Sequence, residues 1–253
     1  MAAGTLATVA GCSTKGTAYA TPSSSASSSA SAAGTGATSG ALPTTSMTPL
    51  PDASGQLTGT GLATVLLPAS DFPSGFTTSA SDAVNSGGTL TTGPAKYPVA
   101  TVSCSNFVQH LGSTGFGETA MAADSVVGSN QAYDQAIYQF ASASAASAYV
   151  AGMSPLAGRC TSFTEPVNGT NTTMRMKAAT GGSVAGRPTV ELLQTATVSG
   201  TALTLDTEFL ASGVDVFAVS AVGFSTTPPA SPAKEAIIYN LMKRQAAAAV
   251  LGS

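Results

Sequence analysis

Charged residues are scarce in this chain, and their scarcity excludes several classes of protein. Only 8% of the 253 residues are Asp, Glu, Lys or Arg, the Lys and Arg number nine, and the formal net charge is −3. A typical soluble domain carries about a quarter of its residues as charges. A nucleic-acid-binding protein needs a basic footprint that neutralises phosphates, and this composition does not supply one. We therefore expect no nucleic-acid partner.

Metal ligands and catalytic bases are also few. The sequence has one histidine, His110, and three cysteines, Cys12, Cys104 and Cys160, without the spacing of a zinc site. We therefore predict no metal and no cofactor. Any triad or general-base mechanism would have to use His110, which lies off the apolar stripe of its predicted helix. We interpret His110 as a solvated surface residue and predict that the protein is not an enzyme.

Long apolar runs are missing as well, so the membrane anchor is predicted at a cysteine. No run of about 18 uncharged apolar residues follows Cys12. The segment Val9-Ala10-Gly11-Cys12 has the pattern of a bacterial lipobox, in which Cys12 becomes the lipidated first residue of the mature chain. A diacylglyceryl group on its thiol would bring two acyl chains to the bilayer, enough for stable anchoring. The alternative is an ordinary cysteine in an Ala-rich segment.

The composition along the chain predicts three parts. Residues 1–11 are apolar and uncharged, and we interpret them as the end of a signal peptide whose start lies upstream. Residues 12–56 contain almost only Ser, Ala, Thr, Gly and Pro, the composition of a disordered tether. A flexible coil of this length spans about 35 to 40 Å. Residues 57–253 have the length and apolar content of one folded domain.

The two cysteines of the domain are predicted to form a disulfide. With Cys12 lipidated, Cys104 and Cys160 remain, and a cysteine pair in an exported domain is typically oxidised. A metal site is the competing interpretation, and it fails on the number of ligands. The protein is therefore expected in an oxidising compartment, at the outer face of the cytoplasmic membrane.

Apolar periodicity predicts an α+β domain, an antiparallel β-sheet meander packed against helices on one face and stapled by the disulfide. Helices are expected where apolar residues recur every three or four positions, and strands where they alternate. The predicted elements are a helix over 102–111, a strand over 135–140, a helix over 142–153, strands over 172–179, 189–199, 202–211 and 215–223, and a final helix over 233–251.

Polar residues at alternate positions of the predicted strands form one candidate site. Glu191, Asp206 and Glu208 are expected on the polar face of the sheet, where paired carboxylates could exchange protons or hold a cation. Arg175 and Lys177 alternate onto a face of a nearby strand and would neutralise them. We interpret the group as cross-strand pairing on a solvated face.

A glycine motif gives a second candidate. Gly115, Gly117 and Ala120 match GxGxxA, which cradles a pyrophosphate when it follows a strand and opens a helix. Here it follows a predicted helix instead. We therefore interpret it as a loop.

The order of these features resembles the PknH-like extracellular sensor domain family. The resemblance covers about residues 57–251 and rests on Leu-Pro at 67–68, DFPSGF at 71–76, a cysteine opening the first helix, and Phe140 with an Ala-rich helix leading to Cys160. Members occur on actinobacterial transmembrane serine/threonine kinases and on free-standing lipoproteins. The resemblance implies an antiparallel sheet packed against helices, with disulfides and a groove or cavity for an unidentified ligand.

Because of two departures from the family, we assign none of its ligand residues to this chain. Leu156 stands where a Trp is frequent, and the domain has cysteines for one disulfide rather than two. We expect a membrane-anchored cell-surface lipoprotein whose non-catalytic sensor domain binds a small or envelope-derived ligand, or a partner protein. The alternative is a structural or interaction lipoprotein that scaffolds envelope complexes without a small-molecule ligand. An apolar cavity with a few convergent polar groups would favour the first.

Overall fold

A computed structural model describes the predicted domain and parts of the segment before it. The predicted lipidation site, Cys12, lies outside the described residues, as does most of the predicted tether, so both stay predictions. The described residues are 6–7, 18–19, 47–52, 55–88, 95–111, 115–128, 131–167, 170–198, 200–223 and 231–251.

The described residues form two antiparallel sheets and five α-helices. The small sheet is a two-residue ladder of β1 (Leu6–Ala7) and β2 (Ala18–Tyr19). The large sheet has eight strands in the order β3-β4-β5-β10-β9-β8-β7-β6. Its strands are β3 (Thr77–Asn85), β4 (Glu118–Val127), β5 (Gln131–Phe140), β6 (Phe163–Val167), β7 (Thr170–Val184), β8 (Arg187–Val198), β9 (Thr201–Ser212) and β10 (Asp215–Gly223). The helices are α1 (Gly59–Ala63), α2 (Cys104–His110), α3 (Ala143–Ala151), α4 (Met153–Arg159) and α5 (Ser231–Leu251), with a short 3-10 helix at Ala69–Asp71.

The predicted meander is confirmed, because β7, β8, β9 and β10 pair in chain order. The turn between β7 and β8 consists of Ala185 and Gly186, whose φ angles are 53° and 80°. Positive φ at both central residues is the requirement of a type I′ turn, whose twist matches that of the flanking strands. β10 then pairs with β5, which joins the meander to the first half of the sheet.

The sheet has a hydrophobic core on each face. Alternate residues of β5 divide between them, with Ala136 and Tyr138 in one core and Tyr133 and Ile137 in the other. Helices α2, α3 and α4 pack in the first core, and α1 and α5 pack in the second. The α+β class is confirmed, but helices cover both faces of the sheet rather than the one face predicted.

The helix boundaries follow from caps and from one proline. Ser103 Oγ accepts a hydrogen bond from the Asn106 N–H at the start of α2, and Ser142 Oγ accepts one from the Ala145 N–H at the start of α3. The helix predicted over 142–153 is confirmed as α3, and a second helix that was not predicted, α4, follows it across Gly152. Pro155 lies in the first turn of α4, where a missing N–H costs little, so it does not end the helical region.

The predicted disulfide is confirmed. Cys104 and Cys160 are bonded with their Cα atoms 5.6 Å apart, and they join the first residue of α2 to the residue that follows α4. Their sequence separation is 56 residues. Closing a loop of this length stabilises the fold by about 4 kcal/mol in the chain-entropy model.

Part of the segment assigned to the tether packs on the domain. Arg187 donates a 3.0 Å hydrogen bond to the Leu50 carbonyl and forms a 2.9 Å salt bridge with Asp52. Ser212 Oγ donates to the same Asp52 carboxylate at 3.1 Å, and Thr48 Oγ1 lies 3.1 Å from the Tyr239 hydroxyl. The packed structure therefore includes residues ahead of the predicted domain start at 57.

Candidate functional site

A polar groove with a volume of about 680 Å³ lies on strands β7, β8 and β9. Five of its ten lining residues are threonines, and Arg175 provides its charge. This volume falls in the usual range for small-molecule sites. The polar side chains that line the groove are Asn171, Thr173, Arg175, Thr195, Thr197 and Thr204, together with Thr172.

The strand register brings these side chains together. Arg175 on β7 is directly opposite Thr195 on β8, and Thr195 is directly opposite Thr204 on β9. Thr197 and Ala202 form the next such pair on the same face, since side chains two residues apart share a face. Opposite residues of this kind have Cβ atoms about 5 Å apart. The groove is therefore lined by adjacent hydroxyl groups with a guanidinium on the β7 side.

The side chain of Arg175 is exposed, and it lies where β7 is no longer paired with β6. Strand β6 pairs with β7 only from Thr170 to Met174, so Arg175 lies just beyond the last paired residue. Among the described residues, the side chain of Arg175 has neither a salt-bridge partner nor a hydrogen-bond partner. Lys177, two residues along the same strand, is exposed in the same way. The prediction that these two cations neutralise the acidic cluster is therefore wrong.

The cation in the acidic cluster is Lys234, from the first turn of α5. Lys234 Nζ lies 2.8 Å from Glu191 Oε1 and 2.6 Å from Asp206 Oδ1, while Thr189 Oγ1 donates to Glu208 Oε1 at 2.5 Å. The predicted convergence of the three carboxylates is thus confirmed. The predicted solvated setting is wrong, because Lys234, Asp206 and Glu208 are all buried under α5.

Burial controls the protonation of this cluster. It raises the pKa of Asp206 to about 6, although the Lys234 ammonium acts in the opposite direction. Burial also raises the pKa of Glu208, against the hydrogen bond from Thr189. Helix α5 covers these carboxylates, and each one pairs with a neighbouring protein side chain. The cluster is therefore suited to holding the helix on the sheet.

Two glycines of β7 have close neighbours, one on β8 and one on α5. A Cβ at Gly182 would overlap the Glu235 carboxylate, and a Cβ at Gly181 would overlap Thr189 Oγ1. Both glycines lie in an irregularity of β7 between Thr180 and Ser183. The first turn of α5 therefore rests on the part of the sheet next to the groove, since Asp206 follows the groove residue Thr204 by two positions on the same strand face.

The other candidates lie away from the groove. His110 is half-buried and stacks on Tyr97, with ring centroids 4.3 Å apart, so it is not the solvated residue predicted. Gly117 lies in the turn before β4 and Ala120 lies inside β4, so the GxGxxA motif leads into a strand. The interpretation of the motif as a loop is confirmed for Gly115 and Gly117 and is wrong for Ala120. Within the described ranges there is no cluster of three potential metal ligands.

The sequence pattern alone does not predict the groove. The available signal was weak: threonines at 195 and 197, and Thr173 and Arg175 on a neighbouring strand, each pair spaced by two residues. This spacing places each pair on one face of its own strand. Only the register between strands shows that the pairs adjoin.

The described residues define an α+β fold, an eight-stranded antiparallel sheet with helices on both faces and a disulfide. The chain shares this fold with the extracellular domain of PknH from Mycobacterium tuberculosis, at 18% identity and a TM-score of 0.50, over 75% of this chain and 97% of that one. The resemblance stated from the sequence is therefore confirmed for the fold.

A second similar structure is a putative uncharacterized protein, the Rv0999 ortholog, from Mycobacterium smegmatis. Its identity is 14% and its TM-score 0.38, over 79% of this chain and 97% of that one. No family model and no curated protein matches the chain. Among the described helices, none has both the length and the apolar character needed to cross a membrane.

Proposed function

We propose that this protein is a lipoprotein, anchored through Cys12 to the outer face of the cytoplasmic membrane, whose domain binds a ligand in the polar groove without catalysis. The lipobox pattern at Val9 to Cys12 supports the anchor. The disulfide Cys104–Cys160 and the fold shared with an extracellular domain support an extracytoplasmic location.

The groove is the observation that carries the binding function. It combines about 680 Å³ of space with hydroxyl groups and a guanidinium that is not engaged by any described carboxylate. The groups best suited to acid/base chemistry do not line the groove, since Asp206 and Glu191 pair with Lys234 and His110 stacks on Tyr97. A site that recognises a polar compound without transforming it is consistent with this arrangement.

The alternative is a scaffold lipoprotein without a small ligand. An apolar cavity with a few polar groups was expected to favour ligand binding over a scaffold, and the groove is instead mainly polar. A scaffold would need a protein surface on the groove face, and Arg175 and Lys177 would then pair with acidic residues of that partner. The two functions differ in whether a small molecule accompanies the purified protein.

The anchor is tested by replacing the lipidated residue. The Cys12→Ser variant is expected in the medium or the soluble fraction, because it lacks the thiol that carries the acyl chains. Ser13→Ala is the matched control, since it alters the neighbouring residue and leaves the thiol. Membrane retention of Cys12→Ser would contradict the proposal.

The binding function is tested by native mass spectrometry of the full chain, extracted from its own envelope in mild detergent. We expect a bound small molecule that is released on denaturation and can be recovered chemically unchanged after incubation with fresh protein. Conversion of the recovered compound would contradict the non-catalytic assignment. A protein mass without any bound compound would contradict the ligand and support the scaffold.

A further inference from the structure

The lining of the groove points to one chemical class of ligand. We infer that the groove binds an anionic polyol, a hydroxyl-rich small molecule that carries one phosphate or carboxylate group. The inference rests on the proposed function, since it names the ligand class of the same groove. A sugar phosphate and a uronic acid both have this chemistry, whether free or as part of a larger envelope component.

The anionic group is recognised by Arg175. A guanidinium offers a planar fork of donors that fits two oxygens of a phosphate or carboxylate at once. Elsewhere in the described structure, the cations Arg187, Lys234 and Arg244 are each engaged by a carboxylate. Arg175 lines the groove without such a partner among the described residues, and Lys177 follows it on the same face of β7. Positive charge is therefore concentrated along one side of the groove.

The polyol part is recognised by the threonines and by Asn171. Each threonine hydroxyl can donate one hydrogen bond and accept two, which matches the mixed donor and acceptor character of sugar hydroxyls. Thr173 and Thr197 are exposed, and Thr195 is half-buried in the middle of the same face. A row of such groups across adjacent strands can bind several ligand hydroxyls at once.

The residues that line the groove also argue against other ligand classes. The ten described lining residues include no aromatic ring, so a nucleobase or the apolar face of a neutral sugar finds no stacking platform there. The apolar lining is limited to Ala196, Ala202 and Leu203. This is too little apolar surface to bury an acyl chain, whose binding would depend on the methylene groups that it removes from water.

Four probes test the inference on the full chain by isothermal titration calorimetry: glucose 6-phosphate, glucuronate, glucose and inorganic phosphate. Glucose lacks the anion and inorganic phosphate lacks the polyol. We expect glucose 6-phosphate and glucuronate to bind about tenfold or more tightly than either of these, because each engages both parts of the groove. Comparison of the four affinities shows which part of a ligand the groove recognises.

Variants separate the contribution of the anion contact at Arg175 from that of the threonine hydroxyls. Arg175→Gln should weaken glucose 6-phosphate about tenfold or more and leave glucose unchanged, since it removes only the anion contact. Thr195→Val combined with Thr197→Val keeps the side-chain shapes, removes two hydroxyls, and should weaken glucose and glucose 6-phosphate alike. Lys96→Gln is the matched control, because it removes the same charge from an exposed residue outside the groove and should bind as wild type.

The outcomes separate this inference from the proposed function. Equal binding of glucose and glucose 6-phosphate, or an Arg175→Gln variant that binds as wild type, would overturn the anionic polyol while leaving a ligand-binding groove in place. A compound of another class found by native mass spectrometry, with none of the four probes binding, would have the same meaning. Absence of both a bound compound and probe binding would overturn the inference and the proposed function together.

Discussion

Lys234 Nζ lies 2.6 Å from Asp206 Oδ1, and both side chains are buried between the first turn of α5 and strand β9. Glu191 of β8 is the second partner, with its Oε1 atom 2.8 Å from Lys234 Nζ. Moving these charges out of water is costly, and the cost is offset only while each charge keeps its partner. Lys234 therefore fixes the first turn of α5 on the sheet beside the groove.

Removing that lysine should be strongly destabilising. Lys234→Met leaves Asp206 and Glu191 without their cation, and breaking a buried pair of this kind costs about 3 to 5 kcal/mol. Urea unfolding at pH 7 measures the loss. Lys243→Met in the same helix is the control, since Lys243 is exposed and its replacement should change the free energy of unfolding by about 0.5 kcal/mol or less.

The loss in Lys234→Met should also depend on pH. Burial raises the pKa of Asp206 to about 6 in the wild type even with Lys234 beside it, and loss of Lys234 raises this pKa further, so at pH 5 the carboxylate is protonated in both proteins and no unpaired charge remains on it. The difference between variant and wild type should therefore be smaller at pH 5. An equal difference at both pH values would show that the lysine acts through packing alone.

Glu118 should make the fold less stable as the solution becomes more alkaline. Burial raises its pKa from 4.5 to about 7, so the folded state holds a proton that the unfolded state releases. The resulting stability is fully present below about pH 4.5 and is lost as the pH rises through about 7. Glu118→Gln stays neutral and keeps an oxygen for the amide hydrogen bond from Phe116. At pH 8 it should exceed wild type by at most about 3 kcal/mol in free energy of unfolding.

Thermal unfolding from pH 4 to pH 9 checks this prediction. The two proteins should be equally stable near pH 4.5 and should diverge above it. Parallel curves over the whole range would contradict the assigned role of Glu118.

The close packing of β7 against β8 should make Gly181 intolerant of substitution. In Gly181→Ala the new methyl group would overlap Thr189 Oγ1 and lie 3.1 Å from the Thr189 backbone carbonyl carbon, so we expect a loss of about 1 to 3 kcal/mol in urea unfolding. Gly158→Ala is the matched control. Gly158 lies in α4 with nothing within 4 Å of its Cβ position, so alanine should stabilise the protein by about 0.5 to 1 kcal/mol. A stable Gly181→Ala protein would contradict the tight contact.

Loss of the disulfide should destabilise the domain without changing its fold. The Cys104→Ser, Cys160→Ser double variant should lose about 4 kcal/mol or less, since the bond constrains the unfolded chain. Intact-mass measurement of exported wild-type protein, with and without reductant after alkylation, provides the direct check. Two free thiols in the unreduced protein would contradict the bond.

The sequence predicts those parts of the fold in which alternation is strong or a cysteine pair is present. The meander strands and the disulfide are confirmed by the structure. Strand β4 was missed because it contributes apolar residues to the cores on both faces and is rich in alanine, so it lacks the period of two. Helix α4 is not predicted because glycine followed by proline is typical of the end of a helix, whereas Pro155 lies in the first turn of α4.

The functional site is harder to predict because it depends on contacts between distant parts of the chain. Arg175 and Thr195 are opposite each other only through the register of β7 with β8, which local spacing does not determine. Lys234 reaches Glu191 from a helix 43 residues further along the chain. A sequence pattern shows that Asp206 alternates with apolar residues, but it does not show that α5 covers that face.

The central claim is that the groove holds the ligand, and a pair of tryptophan variants tests it most directly. Ala202 lines the groove, whereas the adjacent Thr201 is exposed and lies on the opposite face of β9. Native mass spectrometry of envelope-extracted full chains should show the bound compound in wild type and in Thr201→Trp, and should not show it in Ala202→Trp. Retention of the compound by Ala202→Trp would contradict the assignment of this groove.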